Sequence, residues 1–227
     1  LAYAAGCGEK QAEPPEPGER LPGEPYVIGA MFAITGDASS LGIPAKKTAE
    51  MLEKMINADG GINGRPLEIV IEDTKGEEAE ARKAARRLVE ASDVLAIVGP
   101  SRTGTTLAVL DYMESVEVPL VSCAAGIDIV EPPKKWIFKT PQTDRMAIEK
   151  IIEYLKQQNI ARIASLCDDT EFGKSGAREI EDLMPAAGIR VVAREEYAPR
   201  DTSMEGQLAS IRDTNAQAVV CWGTPPG

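Results

Sequence analysis

From Tyr26 onward the chain alternates apolar runs of strand length with longer segments of helical period, and that alternation constrains the fold more than any other feature. Tyr26-Val27-Ile28-Gly29-Ala30-Met31-Phe32 is a short continuous apolar run, the pattern of a strand buried on both faces. Residues 43–58 follow with Ala49, Met51-Leu52 and Met55-Ile56 at helical spacing, and Gly60-Gly61 end them. Leu67 to Ile71 reads as a second strand closed by Glu72-Asp73. Residues 77–91, acidic at the start and richer in Arg and Lys later, predict a helix whose charges match its dipole. Further strands are expected at 94–98, 119–122, 136–138, 162–166, 190–193 and 218–221, with helices from about Thr103 and at 144–157, 173–185 and 203–213. This βαβα order predicts an α/β protein of parallel sheets covered on both sides by helices. The two halves echo each other in architecture, and Pro141-Gln142-Thr143 is the candidate passage between a lobe at 26–141 and another at 142–227.

Composition narrows the chemistry. The chain contains no histidine, which removes Ser-His and Cys-His nucleophilic pairs, histidine general bases and most zinc sites. Neither an enzyme nor a metal or cofactor site is expected. Lys and Arg number 25 against 36 Asp and Glu, a net charge of −11 that disfavours a nucleic-acid partner. Two Trp, five Tyr and three Phe are too few for a base-stacking platform. No window approaches the roughly 20 continuous apolar residues of a spanning helix.

The N-terminus suggests a location. Leu1-Ala2-Tyr3-Ala4-Ala5-Gly6-Cys7 is an apolar run of small residues ending in cysteine, as in a bacterial lipobox, although Ala4 stands where leucine is usual and no basic region precedes it. Either residues 1–6 end a signal peptide and Cys7 is lipidated, or the run is an arbitrary alanine-rich start. The next segment favours the first reading. From Gly8 to Pro25 the chain carries Pro14, Pro15, Pro17, Pro22 and Pro25 among Glu, Gly and Lys, a composition that stays extended and suits a tether. The expectation is a lipid-anchored protein of the cell envelope, periplasmic or on the outer face of the cytoplasmic membrane. Disulfides are permitted there, and whether Cys167 and Cys221 pair is left open.

In parallel α/β sheets the functional loops lie beyond the carboxyl ends of the strands. That rule selects Thr35 to Gly42, Asp73-Thr74, Gly99 to Gly104, Cys123 to Asp128, Asp168 to Gly173 and Gly223 onward, all rich in Gly, Ser, Thr and Asp. Gly99 to Thr106 nearly spells a phosphate-binding loop, but Thr105 replaces the lysine; Phe172-Gly173-Lys174-Ser175 lacks the earlier glycine, where Asp168 stands. Neither is a nucleotide site. The first is either a carboxylate-binding turn or a plain N-cap at Thr103. Asp168-Asp169 reads as a turn and cap pair rather than as an acid/base or metal pair. Trp136 and Trp222 are expected in the core, with Trp222 placed to edge a pocket.

Several motifs then coincide: Ile28-Gly29-Ala30-Met31 with Thr35-Gly36 to Gly42, Asn57-Ala58-Asp59-Gly60-Gly61-Ile62-Asn63-Gly64-Arg65-Pro66-Leu67, and Ile97-Val98-Gly99-Pro100-Ser101. In this order they resemble the leucine/isoleucine/valine-binding family, the type I periplasmic binding proteins of branched-chain amino acid ABC transporters. The resemblance runs from Tyr26 to the last residue. It implies two doubly wound parallel-sheet lobes joined by a hinge of three crossings, closing on a ligand without altering it. It also implies more chain after a strand like Ala218 to Trp222, so the second lobe is expected to be incomplete.

By the same resemblance the ligand's polar head is held by Thr103, with Ser101 in the same loop, and by the backbone at Ala124 in Ser122-Cys123-Ala124-Ala125-Gly126. Gly126 replaces the family's threonine and Phe172 a tyrosine of the second lobe, while Leu41 sits against the ligand's apolar part. Arg102 is an additional candidate partner for a carboxylate. The two lost hydroxyls point toward a small carboxylate or amide, aromatic ones included, ahead of an α-amino acid. The implied function is an extracytoplasmic solute-binding lipoprotein that delivers its ligand to a membrane permease; the alternative is a ligand-sensing receptor domain of the same fold.

Overall fold

The computed structural model describes residues 21–224; the expectations for Cys7 and for the tether up to residue 20 lie outside them. Strand β1 (Tyr26–Phe32) forms the centre from which the first sheet grows. Helix α1 (Ser39–Ala58) leads to β2 (Leu67–Asp73), which pairs in parallel with β1 from Tyr26↔Leu67 to Phe32↔Asp73. Helix α2 (Glu78–Ser92) leads to β3 (Ala96–Val98), on the other side of β1. Helices α3 (Thr103–Leu107) and α4 (Leu110–Val116) precede β4 (Leu120–Ser122), and a 3-10 turn at Ile127–Ile129 precedes β5 (Ile137–Lys139). The sheet order is β2-β1-β3-β4-β5, parallel throughout.

The second sheet repeats the plan with fewer strands. Helix α5 (Asp144–Gln157), β6 (Arg162–Asp168), α6 (Glu171–Ala186), β7 (Arg190–Tyr197), α7 (Glu205–Arg212) and β8 (Ala218–Trp222) build a parallel sheet of order β7-β6-β8. Thr140 to Thr143 carries the chain from one sheet to the other, and Thr143 caps α5 by accepting the Met146 N–H.

Each sheet has its own core. Met31, Leu88, Ile97, Met113 and Leu120 are fully buried between the first sheet and the α2–α4 side. Ile148, Ile163, Ile180 and Met184 do the same for α5, α6 and the second sheet. Burial of side chains this size stabilises by about 1.5–3 kcal/mol each.

Several local expectations are corrected. Helix α1 starts a turn earlier than residue 43 and carries Pro44 inside it. The helix expected from Thr103 breaks after Leu107: the Thr105 and Thr106 hydroxyls both donate to the Arg102 carbonyl, and such back-bonding bends a helix. The acidic residues Glu78 and Glu80 do occupy the first turn of α2, but no cation occupies its last turn. Arg87 instead reaches sideways to Glu72 of β2, through a double hydrogen bond of 3.1 and 2.7 Å. At the end of α1, Gly60 (φ +92°) and Gly61 (φ +71°) turn the chain as expected, and a Cβ on Gly61 would lie 2.1 Å from the Arg65 carbonyl oxygen. Arg65 also stacks over Tyr26 and donates to Glu24 O at 2.7 Å, holding the entry to β1.

Cys167 and Cys221 are free thiols. Residue 221 lies opposite Leu166, so the strand alternation puts the two sulfurs on opposite faces of the sheet. Burial pushes the Cys167 thiol up to about 12.

Candidate functional site

The carboxyl ends of β1, β3 and β4 form one wall of a cleft, and those of β6, β7 and β8 form the other. On the first wall, Gly99 takes φ +97°, and a Cβ there would lie 2.1 Å from the Met31 carbonyl oxygen, so only glycine turns the chain out of β3. Ser101 Oγ accepts the Ala33 N–H at 3.3 Å. Arg102, in extended conformation, is the residue that precedes α3; Thr103 is therefore its first helical residue and not its N-cap. Thr103, 2% exposed, accepts the Gly126 N–H at 3.3 Å, which leaves its own hydroxyl proton undirected.

A chain of buried hydroxyls supports this wall. Ala124 N donates to Ser122 Oγ (3.1 Å), Ser122 Oγ lies 2.9 Å from Thr106 Oγ1, and Thr106 donates to Arg102 O at 2.9 Å. Because Thr106 is the donor to Arg102, Ser122 is the donor to Thr106, and every group in the chain is satisfied. Lys139 Nζ ties the same loop to the inter-sheet passage by donating to Ala125 O (2.5 Å) and Gln142 O (3.2 Å), and burial lowers its pKa.

On the second wall, Asp168 is 1% exposed and closes its loop on itself. Its Oδ1 accepts from Thr170 N (3.1 Å), Thr170 Oγ1 (2.5 Å) and Gly173 N (3.1 Å), and its Oδ2 accepts from Thr224 N (2.8 Å) and Thr224 Oγ1 (3.4 Å). Asp168 is thus a turn residue, as expected of the Asp168-Asp169 pair, while the N-cap of α6 is Thr170, whose hydroxyl accepts the Gly173 N–H at 3.3 Å. A Cβ on Gly173 would lie 1.8 Å from the Asp168 carbonyl oxygen, so glycine lets α6 start this close to β6. Phe172 projects from the first turn of α6 and packs on Trp222, centroids 5.4 Å apart. Trp222 lies over Gly176, where a Cβ would meet its indole nitrogen at 2.1 Å, and that buried N–H has no partner among the described residues.

Between the walls lies an inner cavity of about 160 Å³. Leu41, Ser101, Arg102, Thr103, Ala124 and Phe172, six of the residues expected from sequence, line it together with Cys123, Ala125, Thr170 and Thr224. Gly126 is not among them: it stands behind Thr103, and a Cβ there would lie 2.3 Å from Thr103 Cγ2. Trp222 backs Phe172 instead of edging the cavity. Thr170 and Thr224 fall within the strand-end segments selected above, but nothing local marked them, since both are defined by their bonds to Asp168. An outer compartment of about 220 Å³ adjoins this cavity beside Leu41 and is walled by Asp37, Asp169, Pro199 and Arg200. A third space, about 520 Å³, opens on the other side toward Glu77, Glu78 and Lys174. Arg102 lines all three.

Among the described residues, ion pairs join the two sheets' elements at three places, one of them Arg145 of α5 with Glu131 at 3.5 Å. Arg200, in the loop after β7, reaches Asp37, after β1, at 2.5 Å; Arg178 of α6 pairs with Asp128 of the 3-10 turn. Burial pushes the Cys123 thiol above its ordinary range. Tyr197, beneath the second wall, is pushed up to about 12 by burial and its neighbours Cys221 and Asp168. Among the described residues no group of His, Cys, Asp or Glu could hold a metal ion, and no helix is long and apolar enough to cross a membrane.

Comparison with known proteins agrees with this architecture. A family model described as periplasmic binding protein matches residues 25–227. Leu/Ile/Val-binding protein homolog 3 of Brucella melitensis is 26% identical over 198 residues, which are 86% of this chain and 54% of that protein. The chain spans about half the length of the curated relatives it matches. Among solved structures, an extracellular ligand-binding receptor from Rhodopseudomonas palustris superposes with a TM-score of 0.82 at 24% identity, covering 89% of this chain and 55% of that one. The branched-chain amino acid transporter substrate-binding protein LivJ of Streptococcus pneumoniae, solved with isoleucine, gives 0.78 at 27% identity, covering 87% and 57%.

Proposed function

The chain belongs to the periplasmic binding protein family, and from that premise we propose that it captures a small organic solute between its two sheets and hands it to a membrane permease of an ABC importer. The observation that carries the reading is the juxtaposition of Thr103 and Ala124 from one wall with Phe172 from the other around a single cavity. Thr103 and the Ala124 backbone take the polar head of an amino acid, amide or carboxylate; Leu41 and Phe172 enclose its apolar part. Capture operates by population shift, because a ligand that touches both walls favours the arrangement that brings them together. In this reading the solute is bound and released unaltered, as the family match supports. A lipid on Cys7 and a Pro-rich tether hold the protein at the outer face of the membrane.

Native mass spectrometry of the protein from its own host tests this reading. A co-purified small solute, lost on mild unfolding and rebinding on refolding, is the expected result. A protein that carries no solute and shows no thermal shift with amino acids, amides or carboxylates would overturn it.

A further inference from the structure

Resting on the reading that the two walls part and close around a solute, we propose that Asp144 is a proton-operated latch between the two sheets, taking up a proton when the walls are held together and giving it up when they part. Asp144 opens α5 directly after the passage from the first sheet. Its carboxyl is 1% exposed, and neither oxygen completes a hydrogen bond. The groups that face it come from both sides of the passage. The Ile127 N–H of the 3-10 turn and Lys139 of β5 belong to the first sheet's side, Ser175 and Glu179 of α6 to the second's. The Ser175 hydroxyl is itself buried without a partner among the described residues. Enclosure of this kind disfavours the anion, whereas a neutral carboxyl costs far less to bury.

The surrounding charges leave that burial dominant. Lys139 favours the anion through space, while its Nζ donates to Ala125 O at 2.5 Å and Gln142 O at 3.2 Å. Glu179 opposes the anion, although Arg145 pairs with it at 2.9 Å and also reaches Glu131 at 3.5 Å. The other pair at this seam joins Arg178 of α6 to Asp128 of the 3-10 turn. Burial raises the Asp144 pKa above 3.8, against the Ser175 hydroxyl, Lys139 and the Ile127 N–H. Parting the walls draws Ile127 away from Ser175 and lets water reach the carboxyl, which returns it toward its ordinary value. The held arrangement then binds more protons than the parted one. It is favoured below the ordinary value and loses that preference as pH rises through the raised one. The movement reaches the site, because Lys139 ties Ala125 of the solute loop to Gln142 of the passage. Solute affinity is expected to fall over the same interval.

The full chain without any solute tests the latch, through carbon-13 NMR of its aspartate carboxyls and amide hydrogen exchange, both followed with pH. The Asp144 carboxyl is expected to titrate above 3.8. As it ionises, amides at 123–128 and 140–147, corrected for the intrinsic pH dependence of exchange, should exchange at least about threefold faster. Asp144→Asn keeps the side chain neutral and should hold the slow exchange across the range, with less than about 1.5-fold change. A carboxyl titrating at or below 3.8 would overturn the latch, as would exchange that follows pH equally in Asp144→Asn. A raised carboxyl whose ionisation leaves exchange unchanged would overturn it too. Should Asp144→Asn not fold, Ser175→Ala removes a hydroxyl that favours the anion. It should move the Asp144 titration and the change in exchange upward in pH together, and an exchange profile that stays put while the titration moves counts against the latch. A chain that shows the linked behaviour yet carries no solute by native mass spectrometry keeps the latch and rejects the solute reading alone.

Discussion

The two walls of the cleft are built by the same rule and end in opposite chemistry. Both are loops at the carboxyl ends of parallel strands, and both carry threonines and glycines. On the first, Ser101 and Thr103 accept backbone N–H groups and keep their protons undirected. On the second, Asp168 takes the donors of Thr170, Gly173 and Thr224, so the loop is closed upon itself and shows the cavity the ring of Phe172. The difference teaches that a hydroxyl-rich loop is not by itself a recognition surface. What counts is which hydrogen-bonding capacity survives the loop's own folding.

The strongest way to break this comparison is to remove the carboxylate that closes the second wall. Asp168→Ala strands the Thr170, Gly173 and Thr224 donors and should cost about 3–5 kcal/mol, read from urea unfolding. A loss under about 1 kcal/mol would mean that water satisfies these donors and that the wall is not closed. On the first wall the corresponding change is steric. Gly126→Ala places a methyl 2.3 Å from Thr103 Cγ2. It should destabilise by about 1–3 kcal/mol and cut solute affinity by more than its effect on stability, since Thr103 must turn away.

A second buried carboxyl sharpens the contrast. Asp144, 1% exposed at the start of α5, has neither oxygen in a completed hydrogen bond; the Ser175 hydroxyl and the Ile127 amide face it, Lys139 is its cationic neighbour and Glu179 its anionic one. Burial raises its pKa above 3.8 despite Ser175 and Lys139. A carboxyl raised in the folded state binds more protons there than in the unfolded chain, so it makes stability fall as pH rises from its ordinary value through the raised one. Asp144→Asn should therefore melt higher than the unmodified protein at neutral pH, with the gap closing below pH about 4. The smallest effect is expected at the rim. Arg200→Ala breaks an exposed pair with Asp37, so the melting curve should stay put while solute affinity falls less than about threefold, and only at low salt.

Much of this arrangement was legible in the chain. A continuous apolar run marked β1, and the strand-end rule selected each segment that reaches the cavity. Charge-bearing strand ends were harder: β7 runs on through Arg194-Glu195-Glu196 to Tyr197 because it is an edge strand, where charges reach solvent. The satisfaction of Asp168 was out of reach for local reading, since two of its donors come from Thr224, 56 residues away. The position of Gly126 behind Thr103, and not in the cavity, likewise depends on two loops meeting across 23 residues of sequence.

The packing of Trp222 against Phe172 has an optical consequence. One of only two indoles in the chain sits directly behind the ring that faces the cavity, with its N–H buried and without a partner among the described residues. Movement of Phe172 as a solute enters would alter the field and the quenching around that indole, whereas Trp136 lies outside the cavity wall beneath Lys135. If the cavity takes a solute as proposed, tryptophan fluorescence is expected to report its entry without a label.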